Sequence, residues 1–184
     1  MRSSSLRVRD LALCGLFASL IATGAFLRIP LPLIPVTLQT LTVSLAGLLL
    51  GARRGALSAA VYVALGLLGL PIFTGGGGIT YVFHPTFGYL LGFIGGAYVT
   101  GRVAHAVPAP SFRRLFFACL AGLGVVYAAG VPYLWLVSRV YLGRDVTAGA
   151  ILFSGFLLPI PGDVLLSFPA AAAAKRLGPV TERL

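Results

Sequence analysis

Six long apolar stretches, parted by short basic or Gly/Pro-rich breaks, constrain this chain more than any other feature. They run roughly Leu11–Leu27, Leu38–Leu50, Ala56–Leu70, Phe87–Val103, Leu115–Leu136 and Gly162–Ala174. A soluble domain would have to hide them behind a polar surface. With 58% hydrophobic and 10% charged residues there is too little polar material to do so. The expectation is an all-α integral membrane protein: one compact bundle of six transmembrane helices, a single domain over residues 1–184. Several stretches are near 15 residues, which at 1.5 Å per residue gives about 22 Å. A hydrocarbon core is roughly 30 Å thick. The second, third and sixth must therefore extend into their flanks or leave irregular backbone at one membrane face.

Charge then orients the bundle. With the N-terminus inside, the inner side collects Arg2, Arg7, Arg9, Arg53, Arg54, Arg102, Arg113, Arg114, Lys175, Arg176 and Arg183, and the outer side only Arg28, Arg139 and Arg144. This bias puts both termini in the cytoplasm, and it agrees with an even number of spans. A net charge of +10 in a soluble chain would point to nucleic acid. Bases set between apolar spans instead fix topology and meet anionic lipid, so the expected surroundings are a lipid bilayer and no nucleic acid. The N-terminal arginines followed by an apolar run resemble a signal peptide. The run is long for one and more spans follow, so it is read as a retained first span.

The loops divide as the charges do. Inner connections are short and basic, Gly51–Arg54 and Arg102–Arg114. Outer connections are longer, weakly charged, and rich in Gly, Pro and aromatics: Arg28–Thr37, Pro71–Thr86 and about Val137–Pro161. The middle of the last, Thr147 to Leu158, is apolar enough for a short buried or interfacial helix. Apolar irregular backbone at membrane depth survives only where protein buries it or a cavity borders it, so three such loops on one face predict an outward-facing pocket.

Asp163 stands out among the four acidic residues. Asp10 lies beside the N-terminal arginines, Asp145 beside Arg144 and Glu182 in the C-terminal tail, all read as solvated. Asp163 lies inside apolar sequence, where a carboxylate costs several kcal/mol unless something binds it; the plainer alternative is a helix cap after Pro159-Ile160-Pro161-Gly162. Thr37, Gln39, Thr40, Thr86, Tyr89 and Tyr127 fall near the outer ends of the same spans. Hydroxyl, amide and carboxylate groups among aromatics suit a small organic ligand, partly apolar and partly hydrogen-bonding. Gly75–Gly78 lack the Lys and Ser/Thr of a phosphate loop, and no lysine precedes Lys175, so nucleotide hydrolysis by that route is excluded. The glycines, Gly76 and Gly77 among them, are expected to approach a ligand or to flex.

Cys14 and Cys119 sit in apolar segments without a CxxC or a Cys/His cluster, so no metal, disulfide or cofactor is expected. His84 and His105 are the only histidines, and no GxSxG-type nucleophile accompanies them, so no enzyme is expected. Gly15, Ala18, Ser19 and Ala22 make small-xxx-small pairs on the first span, fit for close helix contact within the bundle or with another subunit.

Pro35-Val36-Thr37-Leu38-Gln39-Thr40, Gly69-Leu70-Pro71-Ile72-Phe73, Pro85-Thr86-Phe87-Gly88-Tyr89 and Gly162-Asp163, in this order, resemble the BioY family, the biotin-specific S components of energy-coupling factor (ECF) transporters. The resemblance covers nearly the whole chain. It implies a six-helix S component binding biotin near the outer face of the bacterial cytoplasmic membrane, with Asp163, Gln39, Thr37, Thr86, Tyr89, Tyr127, Gly76, Gly77 and His84 as site residues. It further implies a transmembrane coupling (T) subunit, met through the small-residue face of the first span, and two cytoplasmic ATPases. Alternatives are a stand-alone secondary biotin transporter and an S component for another vitamin. The chain departs from the family in carrying Leu166 where a lysine is usual. That leaves Arg28, Arg139, Arg144 and His84 as outer-side candidates to meet the ligand's carboxylate.

Overall fold

The structure is a computed structural model, and it describes residues 8–29 and 35–181. Arg2, Arg7, Arg183, Glu182 and the centre of the first outer loop lie outside the described residues. Helix α1 (Val8–Phe26) leads into two short antiparallel strands, β1 (Arg28–Ile29) and β2 (Val36–Thr37), with Arg28 opposite Thr37. Helix α2 (Gln39–Leu67) follows, then a 3₁₀ turn over Ile79–Phe83 and α3 (Phe87–Ala104). Helix α4 (Phe112–Leu136) runs on through a π turn at Val137–Tyr141. Then come α5 (Ala148–Leu152), a second π turn at Phe153–Leu157, and α6 (Ile160–Thr181).

Two of the expected spans, 38–50 and 56–70, thus fall in one helical segment, but that segment is not straight. At Gly51 the backbone takes φ 81° and ψ 176°, a conformation open to glycine and costly for other residues. The amide Nε2 of Gln39 donates to the Tyr62 hydroxyl at 2.8 Å. A straight helix would hold those two residues about 35 Å apart. Gly55 also lies so close to Gly47 that a Cβ on Gly55 would come within 2.8 Å of the Gly47 Cα. The chain therefore reverses at Gly51 and packs 52–67 back along 39–50. The expected four-residue loop shrinks to a one-residue turn, and Arg53 and Arg54 already belong to the second arm.

Among the described residues, four helical segments are long and apolar enough to cross a membrane by length and composition: Val8–Phe26, Gln39–Leu67, Phe112–Tyr141 and Ala148–Gly178. Large apolar side chains such as Leu16, Phe117, Trp135, Leu165 and Phe168 are exposed on the outside of the bundle. Exposed apolar surface on that scale suits lipid and not water. The sixth stretch reaches past its expected limits in both directions, because Pro161 sits in the first turn of α6, where the missing N–H costs nothing. The expected helix over Thr147–Leu158 is present as α5 and its π continuation, with Thr147 capping it by accepting from the Ala150 N–H at 3.3 Å.

One acidic residue departs from expectation. Asp10 is buried, at 5% exposure, and pairs with Arg54 at 3.1 Å. Its neighbours in sequence pointed to water, whereas its partner comes from the second arm of α2. The small-residue stripe of α1 divides as well. Ala18 is in the core with Ala22 packed against it, while Gly15 and Ser19 face outward.

Candidate binding site

The bundle end opposite the Asp10–Arg54 pair encloses a cavity of about 50 Å³. Asp163, in the first turn of α6, is 7% exposed and reaches into its wall. Both carboxyl oxygens are occupied by hydroxyls from other helices. Thr40 of α2 donates to Oδ1 at 2.7 Å, and Tyr127 of α4 donates to Oδ2 at 2.5 Å. The side chain thus ties α2, α4 and α6 together and does not serve as a mere cap. Among the described residues the only ion pair is the one at Asp10, so Asp163 is held by neutral donors.

The rest of the wall follows from the helix ends. Thr37 and Gln39 come from β2 and the start of α2. Thr37 Oγ1 lies 3.3 Å from Gln39 Oε1, and the Gln39 amide nitrogen is held by Tyr62. Thr86 and Tyr89 bring the start of α3. The Tyr89 hydroxyl donates to the Gly155 carbonyl at 2.7 Å, so its ring faces the cavity while its polar tip anchors the π turn after α5. Leu90, Phe93 and Val126 supply an apolar flank. Among the expected site residues, Asp163, Gln39, Thr37, Thr86, Tyr89 and Tyr127 therefore converge on one cavity.

Gly76, Gly77 and His84 do not reach it. Gly76 turns the loop with φ 117°, bridging back to Phe73. A Cβ on Gly77 would fall 2.1 Å from the Leu70 carbonyl oxygen, so this glycine permits close approach to the chain's own backbone. His84 stands one layer behind the wall, stacked on Tyr81 at 4.6 Å with Nδ1 2.8 Å from Thr86 Oγ1. Burial, aided by the nearby charge of Arg144, lowers the imidazole below its usual value, so His84 is a neutral ring near pH 7 and no ready counterion.

Three contributors carry no signal in the sequence. Tyr62 braces Gln39; Thr74 lines the cavity; and Tyr81 links Thr74 Oγ1 at 3.1 Å to Thr86 Oγ1 at 3.0 Å. Loop hydroxyls have no periodicity to betray them. The Arg28 guanidinium donates to the Thr74 carbonyl, which sets a cation at the edge of the cavity. Arg139 and Arg144 are exposed on the segment after α4, and Leu166 is half-buried on α6 without lining the cavity.

Apolar helices around a small cavity, with one carboxyl group held only by hydroxyls, define a membrane protein built to hold a small solute. The BioY family model matches residues 1–183, and the chain belongs to that family. A probable biotin transporter BioY of Lysinibacillus sphaericus is 46% identical over 168 residues, which cover 91% of this chain and 86% of that protein. The biotin transporter BioY of Rhizobium etli is 40% identical over 174 residues, 89% of each chain. Among solved structures, the S-component for biotin from an ECF-type ABC transporter superposes with a TM-score of 0.80 at 25% identity. The match covers 96% of this chain and 94% of that one.

Proposed function

We infer that this chain takes up biotin as the substrate-specific S component of an ECF transporter, binding the vitamin in the cavity around Asp163. The observation that carries this is the coincidence of full-length BioY membership with an enclosed carboxyl group whose partners are exchangeable hydroxyls. Biotin's ureido ring offers two N–H donors and one carbonyl. Each carboxylate oxygen has a second lone pair, so Asp163 can accept the ureido N–H groups while Thr40 and Tyr127 reorient or remain. The amide of Gln39 keeps a second N–H beside its bond to Tyr62, and this can donate to the ureido carbonyl. Leu90, Phe93 and Val126 offer the thioether ring an apolar wall. The valerate then runs toward the cavity edge, where Arg28 meets its carboxylate. The present cavity is far smaller than the roughly 300 Å³ at which small-molecule pockets begin, so binding widens it.

Six spans with both termini cytoplasmic complete the reading. The two arms of α2 count as two spans, α3 as another, and the arginine-rich end of the bundle faces the cytoplasm of a bacterial inner membrane. With no phosphate loop in the chain, transport draws on two cytoplasmic ATPases through a T subunit. The outward face of α1 bearing Gly15 and Ser19 offers that subunit close approach.

The deciding experiment is a thermal-shift panel on detergent-purified protein with biotin, riboflavin and thiamine. A ligand that binds only the folded state must raise its melting temperature. Biotin alone is expected to do so. Stabilisation by another vitamin in its place would reassign the substrate, and no response to biotin would overturn the reading.

A further inference from the structure

A second, larger cavity lies at the other end of the bundle, where the helices leave the apolar layer. It is a cleft of about 690 Å³ whose rim carries Arg9, Arg54, His105 and Lys175. No carboxylate lines it among the described residues. Asp10 stands behind that wall and grips Arg54 by one guanidinium nitrogen, holding the side chain in place while leaving it 41% exposed. Lys175 is fixed in the same way, its Nζ donating to the Pro110 carbonyl at 2.9 Å. His105 Nδ1 donates to the Gly101 carbonyl at 2.9 Å, which leaves Nε2 as its other polar atom. Arg9, Arg54 and Lys175, the last two held in position, gather on one concave surface and form a receptor for an anion with several acceptor oxygens.

We propose that this cleft binds a phosphate anion, carried by the headgroup of an acidic membrane lipid. The wall beneath the cations is built from apolar residues such as Leu49 and Leu115, and a free anion has no use for it. An amphiphile does, since its acyl chains lie along the leucines while its phosphate meets Arg9, Arg54 and Lys175. The cleft also sits at the arginine-rich end, which charge bias assigns to the leaflet where acidic lipids concentrate. The site is remote from Asp163 and does not depend on which solute the other cavity takes.

The test measures melting of the purified protein with phosphatidylglycerol, with phosphatidylcholine, and with inorganic phosphate. Phosphatidylglycerol is expected to raise the melting temperature by roughly 5 °C over phosphatidylcholine, an effect that fades with added salt. In the Arg9→Gln/Lys175→Gln double variant the gain should vanish while stabilisation by biotin persists, which certifies the variant as folded. Native mass spectrometry of the wild type should retain one phospholipid, independently of the variant. Equal gains from inorganic phosphate would keep the anion site but assign its occupant to the soluble pool. Equal effects of both lipids, or an undiminished gain in the double variant, would overturn the proposal.

Discussion

Among the described residues, the two buried carboxyl groups are answered in opposite ways. Asp10, at the basic end, faces a guanidinium that keeps its charge at any ordinary pH. Asp163, at the loop-covered end, faces two hydroxyls. An ion pair with a half-exposed arginine gives the Asp10 carboxylate a permanent counter-charge, and it fastens α1 to the second arm of α2. Hydroxyl donors satisfy a carboxylate as well, yet each rotates about a single bond and can exchange partners with an incoming N–H group. The first arrangement suits architecture, the second suits a ligand.

The largest expected effect tests the second half of that contrast. Asp163→Asn should weaken biotin binding by about 2–5 kcal/mol, roughly 30- to 4000-fold, while the protein remains folded. Equilibrium binding of labelled biotin measures it, and an unchanged affinity would remove Asp163 from the site. Asp10→Asn should do the converse. It should lower stability by about 1–3 kcal/mol, between the costs of a surface and a buried pair, and leave biotin affinity intact. Denaturation in mild detergent with and without biotin separates the two outcomes. Arg28→Ala should cost about 1 kcal/mol of affinity for biotin and nothing for its methyl ester, because only the free acid gives the guanidinium a charge to meet. An equal loss for both ligands would make Arg28 a brace for Thr74 and no counterion.

The smallest effect concerns pH. His84 protonates less readily in the folded chain than in the unfolded one. The unfolded state therefore binds more protons under acid conditions, and stability rises with pH. Its contribution is a loss that sets in as pH falls through the unfolded value of about 6.5. Melting temperatures between pH 5 and 8 should fall toward acid, and His84→Gln should flatten that part of the curve.

Much of the fold is legible in the sequence because lipid imposes a blunt demand: long apolar runs must be helical. The reversal at Gly51–Arg54 is legible as a basic break between two apolar runs, but its tightness is not, since only the positive φ at Gly51 shows a one-residue turn. Asp163 announces itself through its apolar surroundings. Asp10 misleads, because its place among N-terminal arginines reads as solvated while folding buries it against Arg54 of the second arm of α2. Gly77 is ambiguous for a different reason. A glycine that admits a ligand and one that admits Leu70's own carbonyl are the same letter. Thr74 and Tyr81 stay silent because loop hydroxyls follow no period.

The one-residue turn at Gly51 has a mechanical meaning too. Two helical arms joined without slack cannot slide past each other, and the Gln39–Tyr62 bond pins their far ends. The pair behaves as a single lever, with a cavity-wall side chain at one tip and Arg54 at the other. A tilt imposed at the arginine end must then be felt at Gln39, across the full thickness of the protein, with no relay of side chains in between.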